Sequence, residues 1–347
     1  MLYKHFSTDK RKVTKFMLDR LKVDGKLTLM WTEALRALLC MLPMFIYSGF
    51  GKTTYLVALG QGGFFFSSLF LPKRIGARVV MGSLILALGL GFYLIGGTVA
   101  PYPWVAIIFT FLVCLNLSFL SGWTIGGPLA LTLVMIFTAG LNAGSPEKAS
   151  ANFLAFALVL GWSALISLLP FWQPIPPPKV DTTIPVRDLA EQGLRMAIGA
   201  SLALAISYGA GFAKLGWASS AVGNVTRYDP KLSEKRAMAR LIGTIAGSVL
   251  ASIALAFITS VTVLVIVGGI FAILNGLFKK TRLGMIPFFY TATILLLYSA
   301  HDLSSGTSNI LQRVAYNLVG IVIAVVVVVY PFPLIMKKIN PNTTVTK

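Results

Sequence analysis

Long apolar runs dominate the chain and alternate with short stretches rich in glycine, proline and charge. Runs of about 20 apolar residues are long enough to cross a hydrocarbon core near 30 Å thick as α-helices. From Thr32 the pattern predicts six such spans, at about 32–49, 53–71, 76–96, 103–120, 124–141 and 150–171. Six more follow, at about 188–210, 212–226, 236–258, 260–277, 284–300 and 309–335. Pro101-Tyr102-Pro103 and Gly144-Ser145-Pro146 mark turns in the first set. Lipid offers the backbone of such runs no hydrogen-bond partner, so each must satisfy itself as a helix. The alternating ten-residue segments of a transmembrane barrel do not occur. The fold class is therefore all-α integral membrane protein.

The second six spans copy the first. Lys73, Arg74, Ala77 and Arg78 match Lys235, Arg236, Ala239 and Arg240 at one constant offset. The same offset pairs Phe50 with Phe212, Lys52 with Lys214, Tyr55 with Trp217 and Phe66 with Tyr228. Asn152 and Asn317 recur in the sixth and twelfth spans, and Arg36 and Arg195 in the first and seventh. This is an internal repeat. The stiff, proline-rich stretch Gln173–Lys179 joins the halves. The organisation expected is a basic N-terminal segment (1–31), a six-helix repeat (32–172), a linker (173–187), a second six-helix repeat (188–336) and a tail (337–347). An even number of spans per repeat makes the halves parallel, related by an axis along the membrane normal.

Composition agrees. With 56% hydrophobic and 12% charged residues, the chain lies far from the roughly one-quarter charged of soluble domains. Of its 30 lysines and arginines, only Lys52, Lys148, Lys214 and Arg313 fall on or near the side away from the termini. The positive-inside rule then puts both termini and the linker in the cytoplasm, and the chain in the plasma membrane. Residues 1–31 carry eight basic residues between Lys4 and Lys26 and lack the apolar core of a signal peptide. Val13, Phe16, Met17 and Leu21 share a face that suits a helix lying on an anionic membrane surface; a disordered basic tail is the alternative.

Candidate chemistry is sparse. No hydrolase, kinase or nucleotide-binding motif is present, and two histidines, His5 and His301, are too few for a histidine metal centre. No cofactor, metal, catalytic residue or nucleic-acid partner is expected. Cys40 and Cys114 lie in apolar runs and read as small core residues. Gly60-Gln61-Gly62-Gly63 and the glycines from Gly91 to Gly97 sit within spans, where they let helices approach closely. Local unwinding at a substrate site is the other reading, and the short, polar eighth span with Ser219, Ser220, Gly223 and Asn224 favours it there.

The arginines are the sharper signal. Arg36, Arg78, Arg195 and Arg240 each lie about a turn inside a predicted helix. Such residues either snorkel to headgroups or face a bundle interior or water-filled cavity. Two parallel repeats would gather the pairs Arg36/Arg195 and Arg78/Arg240 around the axis, as anion-selecting rings. Lys52 and Lys214 would form a third ring at the outer mouth, unless they are ordinary loop lysines. Glu33, Glu191 and Asp229 lie at inner helix ends. Glu33 and Glu191 are spaced to neutralise Arg36 and Arg195, and proton coupling through one of the three acids is the minority reading. Tyr55, Phe64, Trp217 and Asn224 would wall the cavity, where aromatic faces and bidentate guanidinium suit a planar carboxylate. Interfacial aromatic belts are the bland alternative.

Trp217 in a short polar span, then Asp229-Pro230, then Lys235-Arg236-x-x-Ala239-Arg240-Leu241-Ile242-Gly243-Thr244-x-x-Gly247, resembles the fusaric acid resistance family. The resemblance is best over about 188–335, and the first half keeps Ala77-Arg78 and Gly82. It implies a membrane protein akin to aromatic carboxylate exporters, with distant similarity to the plant aluminium-activated malate transporters, which are anion channels. The expected function is proton- or potential-driven export of organic anions along a cationic pathway between the repeats. A passive anion channel and a non-transport protein that binds anionic lipid are the alternatives. The expected partners are a small organic anion and membrane lipids, with a homodimer open.

Overall fold

The computed structural model describes residues 29–120, 126–170, 172, 186–227, 230–279 and 285–329. The basic segment up to residue 28, most of the linker, Tyr228, Asp229 and the tail from residue 330 lie outside the described residues. Among those described, the chain is all helix. In order these are α1 (Trp31–Gly49), α2 (Leu56–Ser67), α3 (Ile75–Val99, with a π turn at Ile85–Gly89), α4 (Pro103–Phe119), α5 (Gly126–Ala143) and α6 (Pro146–Ser167). There follow α7 (Val186–Gly209), α8 (Gly216–Val225), α9 (Pro230–Phe257), α10 (Val261–Leu277), α11 (Met285–His301) and α12 (Gly306–Ile323, continued by π turns at Ala324–Val329).

Local chemistry sets several boundaries. Ser145 caps α6 by accepting a hydrogen bond from the Lys148 amide (3.3 Å), and Pro146 takes the first helical position, where a missing N–H costs nothing. Pro103 opens α4 in the same way. The ninth helix begins at Pro230 rather than at 236, which moves Arg240 from one turn inside the helix to nearly three. The second and eighth helices stay helical throughout, so the structure shows close packing there and no unwinding.

Five helices (α3, α6, α7, α9 and α12) are long and apolar enough to cross a membrane, and α2, α4, α5, α10 and α11 are shorter apolar helices. The outer surface carries apolar stripes at helical spacing. On α9, Ile245, Val249, Ile253 and Phe257 are all exposed, and on α6 Leu154, Leu158 and Leu165 are. Water would penalise such stripes, whereas acyl chains solvate them. The two shortest helices behave oppositely. α2 is buried over nearly its whole length and α8 at every residue but Asn224, so together they form the centre of the bundle. A helix walled in by protein need not be long or hydrophobic all round, which explains the ten-residue, serine-containing α8.

Neighbours recur with a shift of six. α1 packs on α2 and α10, α3 on α5 and α6, and α2 on α6 and α11. Likewise α7 packs on α8 and α4, α9 on α11 and α12, and α8 on α12 and α5. Glycines make the crossings close. A Cβ on Gly140 of α5 would sit 2.2 Å from the Tyr93 carbonyl oxygen of α3, and one on Gly247 of α9 would sit 2.4 Å from that of Phe288 on α11. Backbone cannot yield as a side chain does. We expect Gly140→Val to destabilise the fold by about 3 kcal/mol, the upper range for overpacking, read as a lowered melting temperature in detergent. An unchanged melt would mean the α3–α5 crossing is looser than described. Cys40 and Cys114 are buried, as small core residues should be.

Candidate functional site

Charged groups inside the bundle form two assemblies. The first lies where α1 and α3 begin and α2, α6 and α10 end. Arg36 on α1 is fully buried and donates to the carbonyl oxygens of Phe66 (3.3 Å), Ser67 (2.7 Å) and Leu69 (2.6 Å), at and just past the end of α2, where carbonyls run out of intrahelical partners. It also pairs with Glu33 one turn earlier. Lys279, two residues past α10, donates to the same Glu33 (2.9 Å) and to the Ser67 (3.1 Å) and Leu69 (2.6 Å) carbonyls. One carboxylate thus serves two buried cations. Burial and the neighbouring Arg36 charge pull the Lys279 ammonium down to about 7.

Arg78 has a comparable post. It donates from Nε to the Pro72 carbonyl (2.8 Å) and from its terminal nitrogens to Leu169 (3.1 Å) and Trp172 (3.2 Å), closing the end of α6 onto the start of α3. Arg195 pairs with Glu191 along α7. Three of the four expected arginines therefore bind carboxylates or carbonyls at or near helix ends, and Arg36 and Arg78 lie near enough for their charges to interact.

Arg240 differs. It lies about 15 Å along α9 from its first residue, by the 1.5 Å rise, and is 5% exposed. Its Nε donates to the Asn317 side-chain oxygen of α12 (3.1 Å), and its Nη2 is buried without a partner. The Asn317 amide in turn donates to the Arg313 carbonyl one turn earlier (2.8 Å), so both ends of that amide are fixed. Arg313 was read from sequence as an outer-end residue. Arg313 is fully buried, and none of its three guanidinium nitrogens makes a hydrogen bond. Its guanidinium lies 4.7 Å from the Trp217 ring centroid and 5.1 Å from that of Tyr290. Its charge is close enough to act on Arg240. Among the described residues neither arginine pairs with a carboxylate.

Aromatic groups enclose this second assembly at the seam between halves. Trp217 meets Tyr298 edge-on (5.5 Å) and Tyr316 at 6.0 Å. From the first half, Phe64 on α2 packs 5.0 Å from Tyr290, and Gln61 donates to the Tyr298 hydroxyl (3.2 Å). Lys214, in the turn before α8, holds its ammonium 4.8 Å over the Tyr298 ring. Burial, with the Lys148 charge added, lowers the Lys214 ammonium below its ordinary range. The structure thus joins Arg240, Trp217, Phe64 and Lys214, and adds Arg313, Tyr290, Tyr298 and Asn317. Lys52 is exposed, Tyr55 packs against Tyr47 (5.9 Å), and Asn224 bonds back to the Ser220 carbonyl (2.7 Å). Asp229 lies outside the described residues. Arg313 was legible in one pattern: Asn309, Arg313 and Asn317 recur every four residues, a polar stripe on one face of an apolar helix.

Residues 202–327 match the family model described as fusaric acid resistance protein-like. No curated protein and no solved structure matches the chain. The matched stretch runs from within α7 into the π turns after α12 and holds Trp217, Arg240, Tyr290, Arg313 and Asn317. Over residues 202–327 this multi-pass membrane chain is similar to the fusaric acid resistance protein-like family.

Proposed function

We propose that the chain carries organic anions, aromatic or similar carboxylates, outward across the cytoplasmic membrane, through a cationic pathway at the seam between its halves. The observation that carries this is a pair of buried guanidinium groups within the bundle: that of Arg313, which lies against two aromatic rings and makes no hydrogen bond, and that of Arg240, whose Nη2 makes none. Guanidinium binds carboxylate through two parallel N–H donors, and Trp217 and Tyr290 offer a planar ligand ring faces to stack on. The family match supports membrane transport as the setting.

In this reading all twelve helices count as spans of two parallel six-helix repeats. The neighbour pattern that recurs with a shift of six supports it. So does the alternation of ends, with Met30 bonded to Leu277 at one end and His301 to Thr53 at the other. The end that gathers Lys73, Arg74, Lys235 and Lys279 then faces the cytoplasm, by the positive-inside rule.

The test is counterflow. Vesicles holding the purified protein and an unlabelled carboxylate should accumulate the same labelled carboxylate transiently, for at least one member of a panel of benzoate-like and aliphatic acids. Arg240→Gln should slow this about tenfold or more, the effect of losing about 1.4 kcal/mol from the crossing anion. A panel that never moves, in a protein that instead binds anionic lipid tightly, would replace transport with a lipid-binding role.

A further inference from the structure

The same two arginines bear on how transport is driven. Resting on the anion-transport reading above, we propose that the chain is an anion exchanger, in which an organic anion leaves the Arg240–Arg313 site only as another anion from the opposite side replaces it. The argument is one of charge. Two guanidinium groups, 5% and 0% exposed, lie within the bundle, and among the described residues neither pairs with a carboxylate. The Trp217 and Tyr290 faces offset part of the Arg313 charge, but a ring face leaves its N–H donors without oxygen acceptors. An emptied site would hold bare charge in a low-dielectric interior, the costliest state available to it.

A carrier that releases its anion without exchange needs an internal group to take the anion's place, usually a carboxylate that loses its proton. Two described acids that lie near buried arginines are committed elsewhere. Glu33 holds Arg36 and Lys279 at the end of α10, and Glu191 holds Arg195 on α7. In this proposal the replacement anion comes from solution. Capture at the outer end falls to Lys214, whose ammonium reaches Tyr298 at the edge of the site, with the Lys148 charge nearby.

Exchange through one site also follows from the asymmetry of the repeats. Asn152 bonds back to the Lys148 carbonyl (2.9 Å) just as Asn317 bonds back to that of Arg313 (2.8 Å). Yet Lys148 is exposed and Arg313 is not, so the first half builds no second site of this kind. The counter-anion must be small enough to reach a guanidinium between two rings and must offer several acceptors. Chloride, bicarbonate and a second carboxylate meet that description.

The experiment measures net efflux. Vesicles are loaded with a labelled carboxylate that gives counterflow, and the membrane potential is clamped with potassium and valinomycin. They are then diluted into media of equal ionic strength containing chloride, bicarbonate, the unlabelled carboxylate, or only dextran sulfate, a polymer too large to enter. Efflux into dextran sulfate should be less than one-tenth of that into the fastest of the other three media. Equal efflux in every medium would overturn exchange and leave anion transport standing. Absence of counterflow for the whole panel would overturn both.

Discussion

Arg313→Met should abolish most anion flux and yet leave the fold as stable as before, or more so. Met fills much of the same volume with no charge and no N–H donors to satisfy. Replacing buried ionic groups with apolar residues of similar size is often neutral or stabilising by about 1–4 kcal/mol. Against this stand the two contacts of Arg313 with Trp217 and Tyr290, each worth about 2 kcal/mol when desolvated. The unmet desolvation of its nitrogens, about 1–3 kcal/mol for each unsatisfied group, outweighs them. Measured without added carboxylate, the melting temperature should hold or rise, while counterflow falls about tenfold or more. A structural arginine behaves in the reverse manner, and a variant that melts early while transporting normally would remove Arg313 from the site.

The cluster at Glu33 should respond in the opposite sense and lose stability heavily. Here one carboxylate faces two buried cations, so the choice of deleted partner decides the outcome. Glu33→Gln leaves Arg36 and Lys279 together with no counter-charge, and breaking a buried pair in this way costs about 3–5 kcal/mol. Lys279→Met leaves Glu33 and Arg36 as a matched pair, with Arg36 still on the Ser67 and Leu69 carbonyls, and should cost far less. The double variant should recover much of the Glu33→Gln loss.

The sign of the pH dependence follows from the same count. Lys279 is pulled down to about 7 in the folded chain, from an ordinary value of 10.5. The unfolded chain therefore binds more protons between those values, and stability rises from pH 7 toward pH 10. Lys279→Met should flatten that slope. A melt in which Glu33→Gln and Lys279→Met cost the same would show that the charge count does not govern this cluster.

How much of this was legible in the sequence depended on which physics carried the signal. Helix positions followed from apolar run length, because lipid permits little else, and every predicted span has a helix at its place. The start of α9 was missed because Lys231, Glu234 and Lys235 read as a polar loop, whereas a helix reaching beyond the apolar layer tolerates charge. For Arg36, Arg78, Arg195 and Arg240 the sequence leaves snorkelling and interior placement open; all four are under 9% exposed. Their partners were not legible. The carbonyls that Arg36 and Arg78 bind belong to helix ends, whose meeting only tertiary packing fixes. Lys279 reaches Glu33 across 246 positions of sequence. Arg313 was hidden by its place near the outer end of a predicted span, where a basic residue reads as a loop or headgroup contact.

The central claim is that an organic anion binds between Arg240 and Arg313, and a heavy-atom substrate tests it most directly. Crystals of the protein grown with a bromo-substituted benzoate should give an anomalous bromine peak within the enclosure of Trp217, Tyr290 and Phe64, with the carboxylate on the two guanidinium groups. Arg313→Met crystals grown the same way should lack it. Bromine found only at the outer surface or in the lipid-facing grooves, with no carboxylate on Arg240 or Arg313, would contradict the account.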